Sequence, residues 1–277
     1  MSEREGPGRE RAAQPSRLHA TLDGPPGAPV LVLGGSLGTT SAMWTPQLAE
    51  LASRFWVVRY DHLGHGGSLA PPGPYSIDQL GRELLALLDE LVIERASFAG
   101  LSLGGMVGMW VAAHAPERVQ RLALFCTSAR LGPAEMWHQR AAAVRASGVP
   151  AVVDAVMARW FTPAFARERP EVVAAHREMV TGTPAEGYAG CCEAIAAMDL
   201  RADLGSITAP TLVVAGAQDP ATPPPHAELI ASAIPGARLV VLDPAAHLAT
   251  VEQPERASRL LLDHLEDLHH LHHSDRP

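Results

Sequence analysis

The sequence predicts an α/β fold: a mostly parallel central sheet flanked by helices, with an inserted helical cap. Three observations lead there. Strand-like and helix-like stretches alternate along the first half of the chain. The strands are apolar on both faces, as strands of a sheet covered on both sides must be. The alternation then stops between about residues 130 and 204, where only helical spacing is found, and resumes afterwards.

Taken in order, residues 1–16 are rich in Gly, Pro, Glu and Arg and have little to bury, so they read as a disordered tail. RLHATLDGPPGAPVLVLGG follows as a hairpin-like segment, with DGPPGAP as its turn and VLVLGG as its buried second strand. TPQLAELASR has helical spacing, and FWVVRYDH is rich in β-branched and aromatic residues. SIDQLGRELLALLDELVI repeats apolar residues at helical intervals, with Ser76 as its cap. ERASFAGLS is the next strand, GGMVGMWVAAHAPERV a helix and RLALFCTSA a further strand. Four helical stretches then fill the insertion: AEMWHQRAAAVRASG, VPAVVDAVMARWF, PEVVAAHREMV and YAGCCEAIAAM. APTLVVAGAQD and ARLVVLDPAAH return as strands, with AELIASAIPG and ERASRLLLDHLEDL as helices. The expected organisation is therefore a core of residues 17–129 and 205–268, a cap of 130–204 and a disordered His-rich tail of 269–277.

Composition narrows the function. The chain has 277 residues, of which 47% are hydrophobic, enough for one large domain with a full core. Its formal charge of −8 offers nothing to nucleic acid or to anionic membranes. No apolar run reaches the roughly 18 residues of a membrane span. The charged start has no hydrophobic leader core, so a cytoplasmic protein is expected. All 22 Lys+Arg residues are arginine, which removes lysine Schiff-base chemistry and the phosphate-loop lysine. Cys126, Cys191 and Cys192 have neither a disulfide framework nor zinc-site spacing, so no metal and no cofactor is expected.

GLSLGG fits G-x-S-x-G through Gly100, Ser102 and Gly104. The pattern is common by itself, but here a strand precedes it and a helix follows, the context in which a serine is lifted above a sheet as a nucleophile. A serine nucleophile needs a base, and the base needs an orienting carboxylate. Asp219 falls just past the strand TLVVAG, and His247 just past the strand LVVL. Both therefore reach the rim where ligands of open α/β sheets bind, in the order Ser, acid, His. Asp243 is nearer to His247 in sequence but reads as a turn residue before Pro244, and Asp199 and Asp203 belong to the insertion. His62 and His65 read as loop-shaping, His114 as packing or capping, and His226, after three prolines, as exposed. The backbone N–H groups of Leu103 and Leu37 are the expected oxyanion donors. Gly34, Gly35 and Gly38 do not fit the G-x-G-x-x-G of a dinucleotide site.

From about Arg17 to Leu265 the chain resembles the α/β-hydrolase superfamily and, within it, the 3-oxoadipate enol-lactonases of the β-ketoadipate pathway. GGSLGTTSAMWTPQL, RYDHLGHGGS, GLSLGGMVG, TSARLGPAEMW, YAGCCEAIAAMDLRADL, APTLVVAGAQDPATPP and AAHLATVEQP carry the resemblance. The triad motifs are shared with many esterases; SLGT with MW, and YAGCCEAI, are more particular to the lactonases. One departure is Gly35, where the family usually has Asn before SLGT. The resemblance implies hydrolysis of 3-oxoadipate enol-lactone through an acyl-enzyme on Ser102, without cofactor, in aromatic-compound catabolism. Such a substrate carries a carboxylate. Arg130, at the junction of sheet and cap, is the first candidate to bind it, and equally suits a surface ion pair. Trp137 and Trp160 are candidates for the pocket wall, or for the core of the cap. The competing readings are another ester or lactone hydrolase, or a perhydrolase, on the same residues, and a small-molecule receptor that keeps a hydrolase pocket.

Overall fold

The structure is a computed structural model and describes residues 16–266. Of the expected tails, 1–16 and 269–277, residues 1–15 and 269–277 lie outside the described residues, while Ser16 is described and its hydroxyl donates to the Glu83 carbonyl at 3.4 Å. Among the described residues, seven strands form one sheet in the order β1-β3-β2-β4-β5-β6-β7. They are β1 (Ala20–Asp23), β2 (Val30–Gly34), β3 (Trp56–Tyr60), β4 (Ala96–Leu101), β5 (Val119–Phe125), β6 (Thr211–Gly216) and β7 (Arg238–Leu242). Only β1 runs antiparallel to its neighbour. Every residue of β4 and β6 is buried, as befits strands with covered faces on both sides. β1 and β7 lie at the edges, where their partly exposed residues meet water.

Helices cover the sheet. The chain runs through α1 (Thr45–Ala52), α2 (Ile77–Glu90) and α3 (Leu103–His114) in the first half. Ser76 caps α2 by accepting the Gln79 N–H at 3.0 Å. Its apolar stripe of Leu80, Leu84, Leu87 and Leu88 is buried. α3 is different: ten of its residues, Leu103 through Ala112, are buried, so it is a core helix with no polar face. Between β5 and β6 come α4 (Ala134–Ser147), α5 (Pro150–Trp160), α6 (Pro163–Glu168), α7 (Pro170–Thr181) and α8 (Ala185–Ala197). α9 (Pro224–Ala233), α10 (Ala249–Glu252) and α11 (Pro254–Glu266) complete the core. Among the described residues no helix is long and apolar enough to cross a membrane.

Two expectations need correction. The first two strands are not a hairpin: β1 pairs with β3, Ala20 opposite Tyr60, while β2 lies between β3 and β4. The reason is burial. Leu31, Val32 and Leu33 point to alternate faces and all are buried, so β2 needs a central position. The more polar β1 tolerates an edge. The insertion also holds five helices rather than four. The extra one, α6, is a short turn bounded by Pro163 and Pro170 and capped by Thr162, which accepts the Phe165 N–H at 3.2 Å.

Candidate active site

The elbow between β4 and α3 is built by close packing. Gly100 leaves no room for a side chain, since a Cβ there would come within 2.2 Å of the Gly104 backbone. Gly104 in turn abuts Gly34, where a Cβ would lie 2.3 Å from the carbonyl oxygen. With both neighbours so confined, Ser102 takes φ 55° and ψ −110°, a conformation costly for a residue with a side chain. The surroundings hold it there. Its N–H donates to the Phe125 carbonyl at 2.9 Å, and its own carbonyl accepts the Thr127 hydroxyl at 2.7 Å.

Asp219 and His247 come from the loops after β6 and β7 and are both 3% exposed. His247 Nδ1 donates to Asp219 Oδ2 at 2.8 Å. The same oxygen accepts the Thr222 hydroxyl at 2.7 Å, and Oδ1 accepts the N–H groups of Ala221 at 2.7 Å and Thr222 at 3.0 Å. Burial pushes the Asp219 carboxyl up, but His247 and the Thr222 donors outweigh it, and the net pKa is lowered. The carboxylate therefore stays ionised and holds the imidazole in the Nδ1–H tautomer, leaving Nε2 free to take a proton. Ser102 and His247 line one cavity, without a hydrogen bond between them among the described residues. Asp243 is exposed at the end of β7, and its carbonyl accepts from Arg256.

The loop after β2 brings Leu37 beside Ser102 in the cavity wall. Two buried histidines fasten it. His62 Nε2–H donates to the Gly35 carbonyl at 2.9 Å, and His65 Nε2 accepts the Gly38 N–H at 2.9 Å. Burial lowers both, His62 to about 3 and His65 to about 4, so both are neutral at neutral pH. The Gly104 N–H donates to the Gly35 carbonyl at 2.9 Å and ties this loop to the elbow. Leu103 is the first residue of α3, so its N–H has no intrahelical acceptor, and among the described residues neither it nor the Leu37 N–H has a protein acceptor. Gly35 is filled in by its neighbours: a Cβ there would meet Thr39 Oγ1 at 2.4 Å and Met43 Sδ at 3.0 Å.

The cap closes the cavity, which measures about 330 Å³. Trp137 and Arg140 of α4, Arg159 and Trp160 of α5 and Tyr188 of α8 form much of its wall. Arg130 is not in that wall. Its side chain is 57% exposed and faces Asp199 at 3.8 Å, because the loop after β5 turns it outward. His226, expected in solvent, does line the cavity. Ser128 draws it in: the hydroxyl donates to the Arg130 carbonyl at 2.6 Å and accepts from His226 Nδ1 at 2.7 Å. No short-range signal marks that pairing, since 98 residues separate the partners. Cap and core are also stitched at the histidine. Glu252 of α10 accepts the Thr162 N–H at 2.5 Å and the Ala246 N–H at 2.6 Å, and the Leu248 N–H donates to the Trp160 carbonyl at 2.9 Å.

The sequence model of the alpha/beta hydrolase fold matches residues 28–254. The chain is a member of the α/β-hydrolase family. It is 42% identical over 243 residues to 3-oxoadipate enol-lactonase 2 of Acinetobacter baylyi, covering 88% of this chain and 91% of that protein. A crystal structure of the enol-lactonase from Burkholderia xenovorans LB400 superposes with a TM-score of 0.88 at 45% identity, covering 90% of this chain and 96% of that one. The putative carbamate hydrolase RutD of Stutzerimonas stutzeri is 34% identical, over 90% of this chain and 96% of its own length. Within the family these likenesses make this α/β-hydrolase an enzyme of the carboxylic-ester and lactone hydrolase class.

Proposed function

We propose that this α/β-hydrolase opens 3-oxoadipate enol-lactone to 3-oxoadipate, as a cytoplasmic enzyme of aromatic-compound catabolism. The observation that carries the reading is the buried Asp219–His247 pair, 2.8 Å apart, on the same cavity as the strained Ser102 elbow. The enol-lactonase relatives at 42% and 36% identity support the choice of substrate. Three buried, unpaired cysteines agree with a reducing compartment.

Ser102 Oγ attacks the lactone carbonyl while His247 Nε2 takes its proton, and Asp219 stabilises the imidazolium. The N–H groups of Leu37 and Leu103 hold the tetrahedral oxyanion. Collapse expels the ring oxygen as an enolate, a better leaving group than an alkoxide, and the imidazolium protonates it. The enol becomes a ketone, which is a poor nucleophile for closing the ring again. Water, deprotonated by His247, then releases the acid from Ser102. In this reading the inserted helices, residues 130–204, act as a lid that sets substrate choice, with Trp137 and Trp160 as its cavity-facing walls.

The test is a direct rate comparison on enzymatically generated 3-oxoadipate enol-lactone, simple aryl esters and a carbamate. The enol-lactone should have the highest kcat/KM. Brisk turnover of aryl esters with the enol-lactone untouched would remove the substrate and keep the class. Preference for the carbamate would favour the activity named for the RutD relatives.

A further inference from the structure

Most of the cap's arginines are engaged in ion pairs. Arg145 pairs with Glu186 at 2.9 Å and Glu193 at 2.6 Å, Arg169 with Glu171 at 2.7 Å, Arg177 with Asp154 at 2.6 Å and Arg201 with Asp199 at 2.7 Å. Those charges are spent on the surface of the fold. Arg140 and Arg159 have no carboxylate partner among the described residues, and both are half-buried in the wall of the cavity that holds Ser102.

Their company is neutral. The Arg140 guanidinium sits 4.7 Å from the Trp137 ring centroid, and the Tyr188 phenol lines the same cavity wall. Burial raises the pKa of that phenol, so it cannot serve as a counter-anion at neutral pH. The two cations also feel each other: burial, and then Arg140, lower the pKa of Arg159, which stays charged all the same. Keeping two like charges partly out of water without an anion is unfavourable. Neutral ester substrates would be served by the apolar part of the wall, Met136, Val156 and Ile195. A carboxylate entering the cavity would satisfy both forks, and the Trp137 face already limits how the Arg140 fork can turn.

We propose that Arg140 and Arg159 form a two-guanidinium clamp for a carboxylate on the acyl or leaving arm of the substrate, selecting acidic lactones and esters over neutral ones. The clamp deepens the hydrolytic reading of this cavity and rests on it. It replaces Arg130, whose side chain is turned away toward Asp199.

The test pairs two substrates that differ only in charge, 4-nitrophenyl hydrogen succinate and its methyl ester. Wild type should prefer the acid by roughly tenfold or more in kcat/KM. Arg140→Gln and Arg159→Gln should each lower that ratio by about tenfold, mainly through KM on the acid, and Arg140→Lys should restore part of it. A parallel fluorescence titration with glutarate, in Ser102→Ala protein, reads the clamp without turnover; it should saturate with Arg140 and Arg159 intact and not in either Gln variant. Folded variants, verified by circular dichroism, that keep the wild-type ratio would overturn the clamp, as would Arg130→Gln reproducing the loss. Glutarate binding that needs both arginines, with no ester or lactone turned over, would sink the hydrolytic reading and leave the clamp. Turnover of both esters with no charge preference and no glutarate binding would do the reverse.

Discussion

The sheet core and the cap meet at one cavity but build their halves of it differently. In the core, each candidate catalytic group is fastened by the backbone. Ser102 is strained into place by glycine contacts, Asp219 is gripped by four donors, and the Leu37 loop is tied by His62, His65 and Gly104. In the cap, the wall is made of long side chains, Trp137, Arg140, Arg159, Trp160 and Tyr188, projecting from helices. Chemistry needs atoms fixed to a fraction of an ångström, and backbone loops at strand ends supply that. Under the proposed lid role, selectivity needs a replaceable surface, and helix side chains are suited to offer one without disturbing the chemistry.

The largest break should come from the core. Ser102→Ala should fold normally and lose roughly 10⁴-fold or more in kcat. Fluorophosphonate labelling of wild type, mapped by mass spectrometry, should mark Ser102, and a label elsewhere would remove the assignment. Next, Asp219→Asn should cost about 10⁴-fold because the amide favours the wrong imidazole tautomer, while Asp243→Asn should leave most turnover. The opposite ranking in folded proteins would transfer the role to Asp243.

Acid should then loosen the core. His62, His65 and His264 have pKa values lowered by burial to about 3, 4 and 4 from 6.5. As pH falls below 6.5 the unfolded chain takes up protons that the native chain refuses, so stability present above that pH is lost on the way down to the native pKa. Each group contributes a loss of up to about 2 kcal/mol by pH 5. Urea midpoints at pH 7 and pH 5 measure it, and equal midpoints would show these histidines to be less shielded than their burial implies.

The smallest effect belongs to the seam between the two regions. Glu252 joins the cap at Thr162 to the His247 loop at Ala246. Glu252→Ala should lower kcat by about tenfold and leave KM closer to wild type, through a less well held imidazole. A change in KM alone would make the seam part of the cap's substrate wall instead.

The sequence by itself marked the candidate catalytic groups of the core. G-x-S-x-G between a strand and a helix, and an acid and a histidine just past two later strands, are local patterns whose geometry follows from backbone rules. It also marked the insertion, through the loss of strand–helix alternation. The cap side chains were less legible: Arg130, Arg140 and Arg159 look alike along the chain, and which of them turns inward depends on where the helices pack. His226 enters the cavity because Ser128, far away in sequence, accepts its Nδ1–H. β1 pairs with β3 because β2 needed cover on both edges. Each of these was decided by the tertiary structure, because each depends on competition for a shared space between segments remote in sequence, whereas an elbow, a cap or a strand end is specified by residues within one turn of one another.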